Sequence, residues 1–204
     1  VFEENFNGMT VGELPKGVDP RETDPTGIVR VQAVPSASDK SVMLHNNAPS
    51  DSQAFVQKQF SSPLTGKIEI KYSMMIESAN KRISSFPGLR DSNGVNVSLV
   101  NFEQNGKIAL ADGTEIGNYT AGKWQNYTIM LDLQGKTFDF YINGGAAVQN
   151  AAMSTGLENI SLIRFHLQNI LAKVYLDNIS VYTGASETPV QFAGAAEESE
   201  QSEP

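Results

Sequence analysis

Three polar side chains stand at alternate positions of one predicted strand. The second half of the stretch Ile160 to Gln168 alternates between apolar and polar residues, the period of a strand with one buried face. Its polar positions are Arg164, His166 and Gln168. A planar guanidinium, an imidazole and an amide suit sugar hydroxyls or a uronate carboxylate. This row is therefore a candidate ligand-binding face, and the alternative is that it is only the solvent side of an amphipathic strand.

Further polar residues could extend this face. Asn96 and Ser98 alternate along another predicted strand and would continue the row if that strand lies in the same sheet. Arg90 and Phe86 lie in a polar, glycine-containing segment predicted as a loop, and Tyr119 lies in a second loop. Loops are free of strand constraints, so we expect these three side chains to be available to a ligand.

The chain has one tryptophan, Trp124, and sugar rings commonly stack on such a side chain. It stands at the start of a predicted strand, close to Tyr127. That position suits a packed anchor better than an exposed stacking platform. We therefore predict a structural role for Trp124.

Two carboxylates lie on faces that their apolar neighbours make core-facing. Asp177 shares a face with Ile179 and Val181, and Glu4 shares one with the phenylalanines two residues before and after it. If both faces point inward and the two strands pair, two negative charges meet at the border of the core, where uncompensated charge is unfavourable. One structural calcium ion, which takes oxygen ligands, would resolve this, so Asp177 and Glu4 are candidate metal ligands. The alternative is that Asp177 accepts backbone amides or pairs with an arginine such as Arg30, while Glu4 faces solvent.

The elements that must position these residues are strands. In the stretch Trp124 to Gly145, two alternating segments flank Gln134-Gly135, the pattern of an antiparallel hairpin with a two-residue connection. Each limb has one apolar face, so the hairpin needs a larger sheet and a second layer to be stable in water. The run Lys67 to Glu77 also alternates and predicts a strand with one core face and one solvent face, the latter carrying Glu69, Lys71 and Ser73.

The rest of the chain continues this pattern. About a dozen predicted strands without a convincing helix indicate an all-β fold, a two-sheet antiparallel β-sandwich of the jelly-roll type. Only Asn150 to Glu158 suits a short helix or turn. We assign residues 1–184 to this domain. Residues 185–204 are rich in Ser, Glu, Ala and Pro, cannot offset their ordering entropy by burial, and are predicted to be an acidic linker or tail.

Composition limits the partners of the chain. The net charge of -8 and the sequence pI near 4.8 disfavour nucleic acid and anionic membranes, because both need a basic patch. No apolar run approaches the length of a membrane span, so membrane insertion is not expected. The chain has no cysteine, which excludes disulfides and thiolate metal sites and suits a bacterial extracellular domain.

Three motifs together resemble the concanavalin A-like lectin/glucanase superfamily. They are FEENFNG at Phe2 to Gly8, WQNY leading into KTFDFYING at Trp124 to Gly144, and VYLDNISVY at Val174 to Tyr182. The resemblance is nearest to non-catalytic jelly-roll modules of bacterial extracellular polysaccharide-degrading enzymes. It implies that the first and last strands lie side by side and that a glycan binds on a concave sheet face or at a loop edge. It also implies a structural calcium held through an aspartate of the last strand.

The same resemblance raises two catalytic alternatives. Retaining glucanases of the superfamily carry two glutamates bracketing an aspartate on one strand, and no such motif occurs in this chain. Lyases with this fold combine an arginine with a histidine and a tyrosine as base and acid. The residue types are present in Arg164, His166, Tyr141 and Tyr175. The lyases' Gln-x-His order is reversed, since Gln168 follows His166.

The sequence therefore predicts a non-catalytic glycan-binding module of a secreted or cell-surface bacterial protein. We expect a monomer that is tethered to further domains of the same protein and has a polysaccharide as its partner. A small polysaccharide lyase or glycoside hydrolase is the first alternative. A structural spacer is the second.

Overall fold

The structure, a computed structural model, describes residues 2–184, and sixteen strands and one short 3₁₀ turn lie within them. The strands are β1 (Phe2–Glu4), β2 (Asp19–Glu22), β3 (Gly27–Gln32), β4 (Ser41–Asn46), β5 (Gln53–Leu64), β6 (Lys67–Ile76), β7 (Gly88–Arg90), β8 (Asn96–Ser98), β9 (Val100–Phe102), β10 (Lys107–Leu110), β11 (Glu115–Asn118), β12 (Gln125–Asp132), β13 (Thr137–Ile142), β14 (Gly145–Ala152), β15 (Ile160–Gln168) and β16 (Ala172–Thr183). The 3₁₀ turn is Gln104–Gly106. The all-β prediction is confirmed, and the predicted linker or tail at 185–204 lies outside the described residues.

The strands form three antiparallel sheets. The large sheet has eight strands in the order β14-β13-β12-β6-β16-β4-β3, with β1 added beside β16. The small sheet has five strands in the order β2-β5-β15-β7-β8, and the side sheet has three in the order β11-β10-β9. The first and last strands are paired, with Phe2 opposite Val181 and Glu4 opposite Ile179. This is the neighbour relation that the family resemblance implied.

The core lies between the large sheet on one side and the small and side sheets on the other. Tyr72 of β6 meets Phe165 of β15 with ring centroids 5.1 Å apart, which joins the large and small sheets. Tyr127 of β12 meets Phe102 of β9 at 5.3 Å, which joins the large sheet to the side sheet. Aromatic pairs at these distances add to the burial of apolar area. The prediction of a two-layer sandwich is confirmed.

The hairpin of β12 and β13 sits in the large sheet, with Tyr127 opposite Ile142 and Asp132 opposite Thr137. Its connection therefore has four residues, Leu133 to Lys136, and the predicted two-residue turn at Gln134-Gly135 is wrong. Asp132 explains the difference, because its Oδ1 accepts the Gly135 N–H at 2.8 Å and stabilises the longer turn.

A segment predicted as helix or turn is partly a strand. β14 pairs with β13 up to Ala152, so the expectation for Asn150 to Glu158 is wrong at its first residues, and the remainder is an irregular loop. β14 lies at the edge of the large sheet and contains alanine, glutamine and asparagine, residues that carry little strand signal. The short strand β7 also lies in a stretch predicted as a loop, the segment that contains Phe86 and Arg90.

Candidate functional site

The central strand of the small sheet, β15, presents the predicted polar row on its outer face. Ile163, Phe165 and Leu167 are buried in the core, so the alternating positions between them point away from it. β15 lies between β5 and β7, with Arg164 opposite Gln57 on one side and opposite Gly88 on the other. The row is therefore held in the middle of the sheet, where neighbouring strands fix its position.

Side chains of β15, β7 and β8 meet in one open groove of about 320 Å³. We call it the Arg164 groove; it is lined by Ser85, Gly88, Leu89, Arg90, Asn96, Val97, Ser98, Leu162, Arg164 and His166. Five residues predicted as ligand contacts are thus brought together by the folding of three adjacent strands. Gln168 lies next to them, in a neighbouring hollow of about 200 Å³ that shares Ser85 and His166 with the groove.

Arg164 is held by two contacts from β5. Its Nε donates a hydrogen bond to Gln57 Oε1 at 2.8 Å, and its guanidinium carbon lies 4.6 Å from the centre of the Phe55 ring. Burial lowers the pKa of Arg164, Arg90 lowers it further, and Asp19 opposes them. The hydrogen bond uses one of five N–H groups, so the guanidinium keeps its other donors while its plane is oriented.

His166 packs edge-on against the same ring, with its centroid 5.0 Å from that of Phe55. Its Nε2 is buried and has no hydrogen-bond partner among the described residues. Burial lowers the pKa of His166 to about 4, with the positive charge of Arg164 as the second cause. The imidazole is therefore neutral at pH 7 and contributes one donor and one acceptor rather than a charge.

The polar groups of β8 are fixed by nearby backbone. Ser98 Oγ accepts the N–H of Ser85 at 2.9 Å, and Asn96 Nδ2 donates to the carbonyl of Gly94 at 3.0 Å. These bonds restrict the side chains without occupying all their donors and acceptors.

Two aromatic residues expected in contact with a ligand lie elsewhere. Tyr119 is 5% exposed, and its hydroxyl donates to the carbonyl of Glu103 at 2.8 Å. Phe86 is fully buried and its carbonyl accepts the hydroxyl of Tyr72. Both side chains belong to the core, because the free energy gained by burying an aromatic ring exceeds the cost of ordering the loop that carries it. Trp124 is half-buried just before β12, in the opposite layer from the Arg164 groove.

The lyase combination is divided between the two layers. Arg164 and His166 belong to the small sheet, whereas Tyr141 and Tyr175 belong to the large sheet. The core lies between the sheets, so these side chains cannot act on one glycosidic bond.

A second depression was missed by the sequence. It lies on the outer face of the large sheet, has a volume of about 560 Å³, and is lined by Glu3, Glu4, Asn5, Lys71, Asn178, Ile179, Ser180 and Tyr182. The face of β6 that the sequence predicted to be exposed to solvent is largely buried there. Its residues Glu69, Lys71 and Ser73 are only 7%, 8% and 6% exposed. Lys71 Nζ and Glu69 Oε1 are 2.9 Å apart. Alternation identifies this face, but its burial depends on the flanking strands β12 and β16.

Asp177 is 2% exposed on β16, and its carboxylate accepts the backbone N–H of Asn178 at 2.7 Å. The pKa of Asp177 is raised to about 7, mainly by burial; the hydrogen bond from the Asn178 N–H opposes this shift, and the nearby carboxylates of Asp39 and Glu4 contribute to it. Arg30 pairs with Glu22, so it is not the partner that the sequence offered for Asp177.

The surroundings of Asp177 supply oxygen donors. Its neighbour Leu176 pairs with Val42, which places Asp177 beside Ser41 on the adjoining strand. Ser41 Oγ is buried and has no hydrogen-bond partner among residues 2–184. Hydroxyl and carboxylate oxygens are the donor types that calcium takes. In the same part of the chain, no three His, Asp or Glu side chains are grouped closely enough to hold a metal by themselves.

Comparisons with known proteins report the fold. No protein-family model and no curated protein matches the sequence. Similar solved structures include a sialidase: the matched region covers 81% of this chain and 17% of the sialidase chain, with a TM-score of 0.65 and 15% sequence identity. For a botulinum neurotoxin serotype G binding domain, the match covers 88% of this chain and 46% of the toxin chain, with a TM-score of 0.53 and 12% sequence identity. For an exo-β-agarase, the match covers 93% of this chain and 25% of the agarase chain, with a TM-score of 0.53 and 12% sequence identity.

The chain spans from 17% to 46% of the length of these three proteins. At such low identity the likeness shows that the chain has their all-β sandwich fold. No helix within residues 2–184 is long and apolar enough to cross a bilayer.

Proposed function

We propose that this domain is a non-catalytic glycan-binding module of a secreted or cell-surface bacterial protein. The observation that carries the proposal is the Arg164 groove, where polar side chains of β15, β7 and β8 meet on an open sheet face. Because the groove is open to solvent, it can admit part of a long polymer and does not require a ligand small enough to be enclosed. Fixed amide, hydroxyl, imidazole and guanidinium groups match the hydroxyls of a sugar.

The groove contains no convincing catalytic pair. His166 is the only imidazole lining it, and a pKa of about 4 makes it a weak proton acceptor and leaves it without a proton to donate at neutral pH. No aspartate or glutamate lines the groove, so the paired carboxylates of a glycoside hydrolase are missing from it. These observations favour binding over hydrolysis or elimination.

The comparisons support the same proposal at the level of fold. A sialidase and an exo-β-agarase, whose names describe action on glycans, each contain a similar sandwich that is a fraction of their length. We infer a domain of the concanavalin A-like type, monomeric and tethered to further domains. Such a module raises the effective concentration of an attached enzyme at its polysaccharide.

Affinity electrophoresis in gels containing single polysaccharides tests the proposal. We expect retarded migration in at least one gel, and weaker retardation for Asn96→Ala, which loses one groove contact. Asn150→Ala, on the edge of the large sheet, is the matched control and should migrate like the original chain. Normal migration in every gel would favour a structural spacer, and release of unsaturated uronate product would favour a lyase.

We also propose one structural calcium ion held by Asp177 and Glu4. When bound, the ion would neutralise the buried carboxylate, and Ser41 Oγ would offer a further oxygen donor of the right type. Calcium should raise the melting temperature of the chelator-treated protein, and Asp177→Asn should abolish that increase. An unchanged melting temperature in the original chain would contradict the calcium proposal without affecting the Arg164 groove.

A further inference from the structure

The charge of the Arg164 groove is opposite to that of the whole chain. The protein carries a net charge of -8. The residues lining the groove include two arginines, Arg90 and Arg164, and no aspartate or glutamate. A local positive potential on an acidic protein attracts anions to that place, whereas the negative charge of the remaining surface repels them.

Arg90 stands at the rim of the groove. It is exposed on β7, and its guanidinium makes no hydrogen bond or ion pair with the residues that the structure describes. Its partner position on β15 is Leu162, so Arg90 lies diagonally from Arg164, which is the next outward-facing position along β15. Two like charges at this spacing repel each other, and an anion between them would relieve the repulsion.

Arg164 is prepared for a planar ligand. Gln57 and Phe55 fix the plane of its guanidinium from β5, the strand on the far side from Arg90. The remaining N–H groups of a fixed guanidinium match the two oxygens of a carboxylate in a bidentate arrangement. This geometry favours a carboxylate over a spherical anion.

The uncompensated positive charge is confined to the groove. The neighbouring hollow, which shares Ser85 and His166 with the groove, is lined by Arg82 and also contains no carboxylate. Arg82 is balanced by Glu103 at 3.1 Å, so the uncompensated charge is concentrated at Arg90 and Arg164. Neutral donors and acceptors on His166, Asn96 and Gln168 surround this centre.

We propose that the Arg164 groove binds acidic polysaccharides and that Arg90 and Arg164 receive the carboxylate of a uronate residue. This specificity rests on the glycan-binding function proposed above. The neutral polar residues around the two arginines would contact the hydroxyls of the same sugar or its neighbour.

The test compares polyuronates with their neutral derivatives. Affinity gels would contain polygalacturonate, alginate or hyaluronan, each next to its carboxyl-reduced form, together with neutral agarose and sulfated carrageenan. We expect binding to at least one polyuronate and a loss of about tenfold or more on carboxyl reduction, because a hydrogen bond to a charged group contributes strongly. Binding should also weaken as salt is added.

Two variants locate the interaction. Arg164→Lys keeps the charge but loses the fork, and Arg90→Gln removes a charge from the rim; each should reduce polyuronate binding about tenfold. Lys123→Gln is the charge-matched control, since Lys123 is exposed just before β12, in the opposite layer from the groove. It should leave binding unchanged, and circular dichroism would confirm that all three variants are folded.

The outcomes separate this inference from the function on which it rests. Equal binding of a polyuronate and its reduced form, or binding only to agarose or carrageenan, would overturn the carboxylate specificity and leave glycan binding intact. Polyuronate binding that is unaffected by both groove variants would place the site elsewhere and would also overturn it. Migration unchanged in every gel would overturn both proposals.

Discussion

Phe55 organises the polar residues of the Arg164 groove although it is itself apolar. One face of its ring lies under the guanidinium of Arg164, and His166 packs edge-on against it. A single side chain on β5 thus positions two side chains of β15.

Replacing Phe55 should therefore impair the groove more than the core. We expect Phe55→Leu to weaken glycan binding several-fold, because both side chains lose the surface that orients them, while the free energy of unfolding falls by about 1 kcal/mol. Binding in affinity gels and urea unfolding measure the two effects. A variant that loses stability but binds as before would show that the ring has no positioning role.

His166 gives the fold a dependence on pH. Its pKa is lowered from 6.5 to about 4 in the folded protein, so between these values the unfolded chain binds a proton that the folded protein does not. The stability from this group is therefore complete above about pH 6.5 and is lost as the pH falls toward 4, at no more than about 1.4 kcal/mol per pH unit. His166→Gln should flatten this part of the curve in urea unfolding. Parallel curves for the two proteins would contradict the burial of the imidazole.

For single residues, the sequence predicts the face of the strand on which a side chain lies better than the side chains that it contacts. Alternation along β15 identifies Arg164 and His166 as outward-facing, and the structure places both on the groove. Phe55 and Gln57 could not be found in this way, because they meet the row only through the pairing of β5 with β15. Tyr119 shows the opposite error, since a loop position says little about the burial of an aromatic ring.

Among the elements, β6 carries an ion pair within a nearly closed sheet face. The side chains of Lys71 and Glu69 are 10% and 9% exposed, and the ammonium of Lys71 compensates the charge of the Glu69 carboxylate. We expect Lys71→Met to lower the free energy of unfolding by about 3 kcal/mol, because it leaves the carboxylate buried. The double variant with Glu69→Met should recover most of this loss. Additive losses in the two variants, measured by urea unfolding, would show that the pair is not coupled.

The start of β3 passes very close to the start of β5. A Cβ atom at Gly27 would lie 2.0 Å from the carbonyl oxygen of Gln53, a backbone atom that cannot move aside easily. Gly27→Ala should therefore destabilise the protein by about 2 kcal/mol in thermal or urea unfolding. Gly8→Ala is the control, since no atom lies within 4 Å of its Cβ position. Equal stability of both variants would show that the two strands can separate at little cost.

Elements with strong alternation are predictable, and those at edges are not. The strands β12, β13 and β6 lie in the middle of the large sheet, and their buried faces give a clear period of two. β14 bonds to one neighbour only and buries little, so tertiary pairing rather than composition makes it a strand. The closed outer face of β6 also depends on its neighbours and could not be read from its own residues.

For the whole molecule, the N-terminal segment completes the large sheet. β4 pairs with the first half of β16, and β1 takes the place of β4 along the second half. Phe6, just after β1, is fully buried and anchors this segment to the core.

Phe6→Ala should release the N-terminal segment as well as open a cavity. We expect a loss of about 3 kcal/mol or more in unfolding free energy and faster hydrogen exchange in the second half of β16. Glu3→Ala, an exposed position on β1, should change neither. Unchanged exchange in β16 would show that β1 stays in place without its anchor.

The two-layer architecture follows from periodicity, because so many half-apolar strands must cover one another. The pairing of β1 with β16 does not follow from periodicity, since it joins residues at opposite ends of the domain. The likeness of three motifs to a known superfamily supplied that expectation. The identity of the proposed glycan ligand has no sequence signal comparable to either.

The adjacency of β1 and β16 determines how this domain would be mounted in a longer protein. Polypeptide continuing before Phe2 and after Gly184 would depart from neighbouring points on the large sheet. A larger protein can therefore carry the domain as an insertion in a surface loop, because the two ends of that loop would need to be only slightly separated. Because the Arg164 groove is on the other layer, it would face away from both of these points.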